Sequence, residues 1–574
     1  MKQIFAFVFF CLLSFFAQAQ TTITGTIQDQ SNNPLGFANV YIENSFAGTT
    51  ANADGTFSLE TELTGPQVII ADFLGFEQSK TEINIQGTTL QISIVLKEKF
   101  NELKAVTVTA GSFEANDKKK AAVLKPLDVV TTAGAMGDIG NALQTFPGTT
   151  TVGESGRLFV RGGSSEETQT YIDGMHVPIA YTSGSPNIAV RGRFNPFLFK
   201  GTVFNTGGYS AEYGQALSSV LLLQTQGFDS KERIDISLMS IGAGLSGTKV
   251  WDRTAVTATL DYTNLSPYFK LAKQRFKVNE AWHSISGALS LRQKTGKSGM
   301  LKLYATNSVA QNGLEVFDFY ATDNKQDYYT KNDNSFVNLS WMTPLSKRWV
   351  LRAGSSYSLD NNDITYGQAD LSNEFNELHT KANLTYLYSP KVSVKFGGEY
   401  FALKSKRPSY RQRLEINNSA AFAEANIFLS NNFVVKLGLR GEYDDYLQAF
   451  QLAPRFSSAL KTGKKSQISF AYGQFYQNPQ ESFLALNSHL KFRKADHYIL
   501  NYQIEKNKRL LRTEVYYKKY DRLIRYTNPM DSHSYTQDGD GYASGLDVFF
   551  RDAKTIKNSK FWLSYSYLLS ERLY

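Results

Sequence analysis

Residues 138–179 read DIGNALQTFPGTTTVGESGRLFVRGGSSEETQTYIDGMHVPI, and residues 207–227 read GGYSAEYGQALSSVLLLQTQG. The stretch alternates short apolar runs with Pro-Gly and Asp-Gly pairs. These pairs favour turns because Pro presets φ and Gly adopts positive φ without steric cost. Arg161 ends one of the apolar runs, and a buried arginine requires carboxylate partners. The pattern predicts a small α+β unit packed against an acidic surface.

Four blocks of this stretch are similar, in the same order, to the plug domain of TonB-dependent outer-membrane receptors. They are Leu143 with 146–148, then 158–162, then 171–174, and finally Gly208, 213–214 and 218–222. The resemblance implies a plug at 121–227, lodged inside a transmembrane β-barrel with acidic partners for Arg161 on the barrel wall. A single Arg-Gly-Gly could also be a flexible turn or a nucleic-acid-binding fragment, but the chain has no repeat of it. The structural motif positions are Pro147, Gly148, Arg161, Gly162, Asp173, Gly174, Tyr213 and Gly214.

Residues 1–19 have the pattern of a secretory signal peptide. Lys2 supplies the positive start, 4–16 is apolar, and 17–19 read Ala-Gln-Ala, a small-x-small cleavage signal. The apolar run is too short for a transmembrane helix. The single cysteine, Cys11, lies in this leader, so the mature chain offers no disulfide and no thiolate metal site.

Residues 20–99 are predicted to form a β-sandwich. Short runs with period-two alternation, such as 23–27, 38–42 and 92–96, are separated by turn signals such as Asp54-Gly55. The segments TGTIQD, PLGFANVYI, GTTANADGTFSL and ADFLGF resemble the carboxypeptidase-regulatory-like domain. The resemblance implies a non-catalytic module of the kind that precedes plugs in Bacteroidetes-type receptors.

Residues 100–120 are predicted to be a linker that carries a partner-binding segment. Its sequence resembles the TonB box by its position between the first module and the plug. Val and Thr favour an extended segment that adds its backbone to the edge of a partner's sheet. The alternative is a plain linker strand. The six TonB-box-like residues are Leu103, Lys104, Ala105, Val106, Thr107 and Val108.

Residues 228–574 have the alternation of a lipid-facing antiparallel barrel with a wet interior. In 435–442, for example, Val, Leu and Leu alternate with Lys, Arg and Glu. An aromatic content of 13% fits the aromatic girdles of such barrels. Long links at 311–331, 477–496 and 526–541 are the expected extracellular loops. We count about 16 strands against about 22 in the receptor family, so we expect a C-terminally incomplete barrel.

No catalytic, metal or cofactor motif is present in the sequence, and we expect no enzymatic activity. His497 and His533 are expected to be solvated. The net charge of +9 would suggest nucleic acid in a soluble protein. In a barrel it fits basic loops near lipopolysaccharide or an anionic ligand equally well, so we expect no nucleic-acid partner.

Aromatic side chains in the predicted loops and at the plug apex are the candidate ligand contacts, since their faces stack on sugars or siderophore rings. Loop packing or a membrane girdle is the alternative role. The candidates are Tyr181, Phe317, Phe319, Tyr320 and Tyr535.

The sequence therefore predicts an exported outer-membrane receptor for energised uptake. The resemblance implies the TonB complex as its periplasmic partner and a siderophore, haem, oligosaccharide or peptide as its ligand. A surface lipoprotein partner stays open, although the apparently short barrel favours a stand-alone receptor. The alternative is a non-transporting signalling or adhesion protein on the same scaffold.

Overall fold

The structure is a computed structural model. It describes residues 21–97 and 124–573, apart from 31, 36–37, 46, 53, 74–75, 87–88, 154, 229–230, 273, 297, 318–323, 347, 390, 408–412, 464, 488, 529–533 and 557–558. The signal peptide, the TonB-box-like segment, Phe319, Tyr320 and His533 lie outside these residues. Among the described residues, no helix is long and apolar enough to cross a membrane.

The N-terminal module consists of two small sheets that share one apolar core. One sheet has the order β4-β1-β7 and the other β3-β2-β5-β6. Inward positions of both sheets, such as Ile23, Val40, Ile69 and Leu96, are fully buried. Alternate outward positions stay wet, which is why the sequence alternates. The strands are β1 Thr21–Asp29, β2 Asn39–Ile42, β3 Gly48–Thr50, β4 Thr56–Thr61, β5 Gly65–Asp72, β6 Ser79–Ile85 and β7 Thr89–Leu96.

The plug contains a four-stranded sheet of order β11-β10-β13-β12, together with short helices. Asp173 and Gly174, with φ of 48° and 89°, form the two-residue turn between β10 and β11. Asp138 caps α2 by accepting a hydrogen bond from the backbone N of Asn141 at 2.8 Å. The elements are α1 Pro126–Thr131, α2 Ile139–Leu143, β8 Thr149–Thr150, β9 Phe159–Val160, β10 Thr168–Ile172, β11 Met175–Val177, β12 Phe199–Asn205 and β13 Ser219–Thr225, with 3₁₀ turns at Ser165–Glu167 and Pro196–Leu198.

The rest of the described chain is one antiparallel sheet of 18 strands, called here the barrel wall. Each strand pairs with the next along the chain, and β20 also pairs with β22. The strands are β14 Arg233–Met239, β15 Gly242–Val250, β16 Thr254–Asn264, β17 Val278–Thr295, β18 Gly299–Phe317, β19 Lys325–Pro344, β20 Trp349–Tyr366, β21 Ala369–Asp370, β22 Asn373–Ser389, β23 Val392–Lys406, β24 Leu414–Phe428, β25 Phe433–Asp444, β26 Ala449–Gly463, β27 Ser466–Gln477, β28 Arg493–Lys506, β29 Arg509–Arg525, β30 Thr536–Asp552 and β31 Phe561–Arg572; helices α3 Ser266–Leu271 and α4 Glu481–Leu484 lie in two connections.

The two faces of the barrel wall differ in polarity. On β25, Leu437 and Leu439 are 48% and 45% exposed, whereas Lys436 and Arg440 are 7% and 1% exposed. Charged side chains therefore point inward against the plug, and aliphatic side chains point outward. This inversion of a soluble protein's polarity is what a lipid environment requires.

Two sequence expectations about the wall were wrong. The described part has 18 strands, not about 16. Most of 311–331, expected as a loop, belongs to β18 and β19, and 536–541 belongs to β30. These strand ends carry polar residues on both faces, as strands that project beyond the lipid can, so the alternation used to recognise strands was lost there.

Candidate functional site

The plug contacts the inner face of the barrel wall through buried charged side chains as well as through apolar clusters. Arg161, Glu167 and Glu212 are each less than a tenth exposed. A buried charge is tolerated only with a charged partner and further hydrogen bonds. Each of the three finds those partners on a different part of the wall.

Arg161 bridges the plug to β29 and β30. Its Nε and Nη2 donate to Asp547 Oδ2 at 3.0 and 2.7 Å, and Nη2 also donates to Glu514. Nη1 donates to the carbonyl of Thr206 at 3.2 Å, and the guanidinium lies 4.2 Å from the ring centre of Tyr516. The acidic partners expected for Arg161 are therefore these two carboxylates.

Glu167 joins the plug to β31. Its Oε2 accepts hydrogen bonds from Ser218 at 2.7 Å and from Arg572 at 3.1 Å. Burial alone would raise the pKa of Glu167, but the charges of Arg572 and Arg493 and the hydrogen bonds from Arg572 and Ser218 together lower it. Glu167 therefore stays ionised, and the Arg572 guanidinium is also held 3.8 Å above the ring of Tyr520.

Glu212 lies among cations from β22 and β23. Lys395 Nζ is 2.8 Å from its Oε2, and Lys381 Nζ is 3.6 Å from its Oε1. Burial acts to raise the pKa of Glu212, but Lys395 and Lys381 prevail and lower it to about 2. Lys381 also lies 3.4 Å from Glu399, and Glu399 forms an ion pair with Arg440. Glu212 of the plug is therefore part of a network of alternating negative and positive side chains.

The backbone around Glu212 is bound as well. Glu424 of β24 accepts from Ser210 Oγ at 2.8 Å and from the backbone N of Ala211 at 3.1 Å. Arg455 of β26 donates to the carbonyl of Tyr209 at 3.1 Å. A Cβ on Gly214 would collide with the side chains of Arg440 and Glu442, so only glycine permits this close approach.

Two histidines, one on the plug and one on the wall, make further contacts between the plug and the wall. His176 of β11 is buried, and its Nδ1 lies 2.6 Å from Glu377 of the wall. His497 of β28 is fully buried, with Nε2 2.8 Å from the carbonyl of Leu217. The expectation that His497 is solvated was wrong. It lies two residues after the buried Ala495, on the same face of β28, and this shared parity was the available signal.

Sequence reasoning missed most of the wall side of this interface. The missed residues are barrel-strand side chains that contact the plug or belong to the ion-pair network around its charged groups. The signal available for them was their position on the polar face of alternating strands. They are Lys381, Lys395, Glu399, Glu424, Arg440, Arg455, Glu514, Asp547 and Arg572.

The aromatic candidates do not come together. Phe317 ends β18 with 65% of its surface exposed, whereas Tyr535 is 7% exposed and packs 5.7 Å from the ring of Phe483. Tyr181 is half-buried in the plug, where its carbonyl accepts from Arg193 at 2.6 Å. Among the described residues, no group of three or more His, Cys, Asp or Glu is arranged to hold a metal ion.

Two segments of the chain match known domain families. Residues 126–220 match the TonB-dependent Receptor Plug Domain. Residues 23–108 match the CarboxypepD_reg-like domain, and this match includes the TonB-box-like residues.

Comparisons with whole proteins agree on the fold. The chain is 25% identical over 229 residues to the TonB-dependent receptor SusC of Bacteroides thetaiotaomicron, which is 38% of this chain and 22% of that protein. The siderophore receptor PirA of Pseudomonas aeruginosa aligns with a TM-score of 0.62 at 12% identity, over 79% of this chain and 86% of PirA. The ferric enterobactin receptor PfeA of the same species gives 0.64 at 12%, over 81% and 82%. The outer membrane transporter YddB of Escherichia coli gives 0.60 at 14%, over 83% and 79%.

A plug domain packed on the polar face of an antiparallel wall whose other face is apolar is the architecture of an outer-membrane β-barrel with an internal plug. The chain carries a TonB-dependent Receptor Plug Domain preceded by a CarboxypepD_reg-like domain, and it shares the fold of the receptors PirA and PfeA.

Proposed function

We propose that this chain imports a scarce nutrient across the outer membrane and that the periplasmic TonB complex drives the import. The observation that carries the proposal is the chemistry of the plug–wall interface. Arg161, Glu167 and Glu212 hold the plug through ion pairs and hydrogen bonds that water can replace. A plug held in part by such contacts blocks the barrel at rest, and these contacts can be exchanged for hydration when work displaces the plug.

We propose that the TonB complex binds and pulls the TonB-box-like segment at 103–108. Its residues are Leu103, Lys104, Ala105, Val106, Thr107 and Val108. It precedes the plug in the chain, and Val and Thr favour the extended state needed to add a strand to a partner's sheet. A pull on it reaches the plug first, before any strand of the wall.

Deletion of 102–109 tests this assignment. Cells that depend on the chain would be grown on a panel of ferric siderophores, haem, oligosaccharides and peptides. The nutrient that the wild-type chain supports would then be supplied to the deletion variant. We expect energised uptake to be lost while the protein still reaches the outer membrane.

A deletion of equal length at 112–119 is the matched control, because it shortens the linker but keeps the segment. We expect this variant to retain uptake. Intact uptake in the 102–109 variant would show that the segment is not the site of TonB traction. A wild-type chain that supports none of the panel would instead favour the non-transporting alternative.

The ligand is proposed only as a class: a siderophore, haem, oligosaccharide or peptide. PirA is named a siderophore receptor and PfeA a ferric enterobactin receptor, whereas SusC is named only a TonB-dependent receptor. Phe317 is the aromatic candidate with the most open ring among the described residues, so we propose it as a ligand contact. Tyr535 is better assigned to loop packing because Phe483 and Tyr526 cover its ring.

A further inference from the structure

The loop that joins β27 to β28, residues 478–492, is tied to the plug at both ends. At its start, Gln477 Nε2 donates to the carbonyl of Glu166 at 2.7 Å. At its end, Arg493 Nη2 donates to Gln477 Oε1 at 3.1 Å and Nη1 lies 4.0 Å from Glu166. The base of an outer loop and one plug turn therefore share a single set of hydrogen bonds.

Gln215 makes the second tie. Its Oε1 accepts from the backbone N of Asn478 at 2.9 Å, and its Nε2 donates to Glu442 at 3.1 Å. Gln215 has a φ of 53°, in the left-handed region that a residue with a side chain seldom adopts. Such a conformation persists only where the surroundings hold it, and it marks positions with a specific task.

The outer part of the loop is packed rather than free. Leu484 and Leu490 are 1% and 4% exposed within an apolar cluster that includes Leu414, Ile524 and Tyr535. This cluster joins the loop to the strand ends of β24 and β29 and to the next long loop. Any ligand that rearranges these outer loops also moves the residues bonded to the plug.

A side chain of a neighbouring loop fixes the short helix of this segment. Tyr446, between β25 and β26, donates its hydroxyl to the carbonyl of Leu484 at 3.0 Å. Asn478 Nδ2 donates to Asp444 at 2.6 Å, which holds the base of the loop to β25. The loop therefore has one anchor at its helix, one at its base on the wall, and one on the plug.

We propose that Gln215 is a positioning residue that couples the β27–β28 loop to the plug. Rearrangement of the loop withdraws Asn478 from Gln215, which releases the plug segment 209–216 from Glu442. Loosening of the plug frees the loop in the same way, since coupling between two sites is reciprocal. The role of this coupling rests on the proposed function: the loop transmits to the plug that a ligand occupies the outer site.

Hydrogen–deuterium exchange on the full chain, purified in detergent without ligand, tests the coupling. Gln215→Asn keeps an amide and tolerates the left-handed backbone, but it is one methylene too short for both bonds. We expect amides of the β27–β28 loop to exchange roughly two- to tenfold faster, the effect of losing a hydrogen bond or two. Gln226→Asn is the matched control, because the Gln226 amide donates only to plug carbonyls, those of Phe197 and Phe199.

The reverse direction uses Tyr446→Phe, which removes the hydroxyl that holds Leu484 and touches no plug residue. We expect faster exchange in plug amides 209–216. The proposal would be overturned if loop amides in Gln215→Asn, or plug amides 209–216 in Tyr446→Phe, exchanged at the wild-type rate. If Gln215→Asn does not fold, the Tyr446→Phe result decides alone. Neither assay contains nutrient or TonB, so a failure of the transport proposal would leave these results unchanged.

Discussion

The N-terminal sandwich has an apolar core, whereas the plug–wall interface combines apolar clusters with buried ion pairs. The sandwich core is made of fully buried aliphatic side chains such as Ile23, Ile42 and Ile69. The plug–wall interface buries Arg161 and Glu212 among charged partners. Apolar burial is lost as a whole when water enters, whereas ionic contacts can be exchanged for hydration one at a time. The difference separates a module built to stay folded from one built to be moved.

Arg161→Ala should give the largest effect, because it leaves Asp547 buried without its paired cation and removes one of the two cations near Glu514. We expect the free energy of unfolding of the plug to fall by about 3–5 kcal/mol. Denaturant-dependent hydrogen exchange of plug amides is the measurement. Arg157→Ala, at an exposed plug position, should change it by less than about 0.5 kcal/mol. Equal effects of the two substitutions would mean that the ion pairs do not hold the plug.

Ile69→Ala tests the contribution of apolar burial to the stability of the N-terminal sandwich. Ile69 is fully buried in the sandwich, so the substitution leaves a cavity and should destabilise that module by about 2–5 kcal/mol. The same exchange experiment on amides of 21–97 measures the loss. Plug amides should keep their protection, because the core around Ile69 is made only of residues of the sandwich. Loss of plug protection would refute the separation of the two modules.

Acid should loosen the plug through Glu212. Its pKa in the folded chain is lowered to about 2 from an ordinary value near 4.5, so its stabilisation is complete above about pH 4.5 and is lost as the pH falls through about 2. Glu212→Gln should cost about 2 kcal/mol at pH 7. Plug exchange measured from pH 6 to pH 2 should show a smaller acid loss in the variant than in the wild type. Parallel curves would contradict the assignment.

Local chemistry was sufficient to predict much of the fold. Alternation identified the sandwich strands and the polar and apolar faces of the wall, and Asp173-Gly174 predicted a turn that proved to be a two-residue hairpin. These features depend on residues close in sequence. The same rule failed at 311–331, where strands outside the lipid no longer alternate in polarity.

The site was less predictable because it is made of distant pairs. Arg161 was expected to need acids, but its partners Glu514 and Asp547 lie 353 and 386 positions away. Periodicity tells which face a residue occupies and not which plug residue it meets. His497 shows the same limit: its neighbours in sequence, Lys494 and Asp496, suggested solvent, whereas the plug carbonyl of Leu217 is its partner.

A reversible disulfide between plug and wall tests directly whether the plug must separate from the wall during uptake. A Cβ on Gly438 of β25 would lie 3.1 Å from the Cβ of Ala211, near the separation that a disulfide needs. Cys11 is the only native cysteine of the sequence, and we expect it to be removed with the predicted signal peptide. Ala211→Cys with Gly438→Cys should abolish energised uptake of the supported nutrient when oxidised and restore it on reduction, while each single variant transports normally. Uptake that continues with the disulfide closed would show that the plug does not need to leave this part of the wall, which would contradict plug displacement as the route of import.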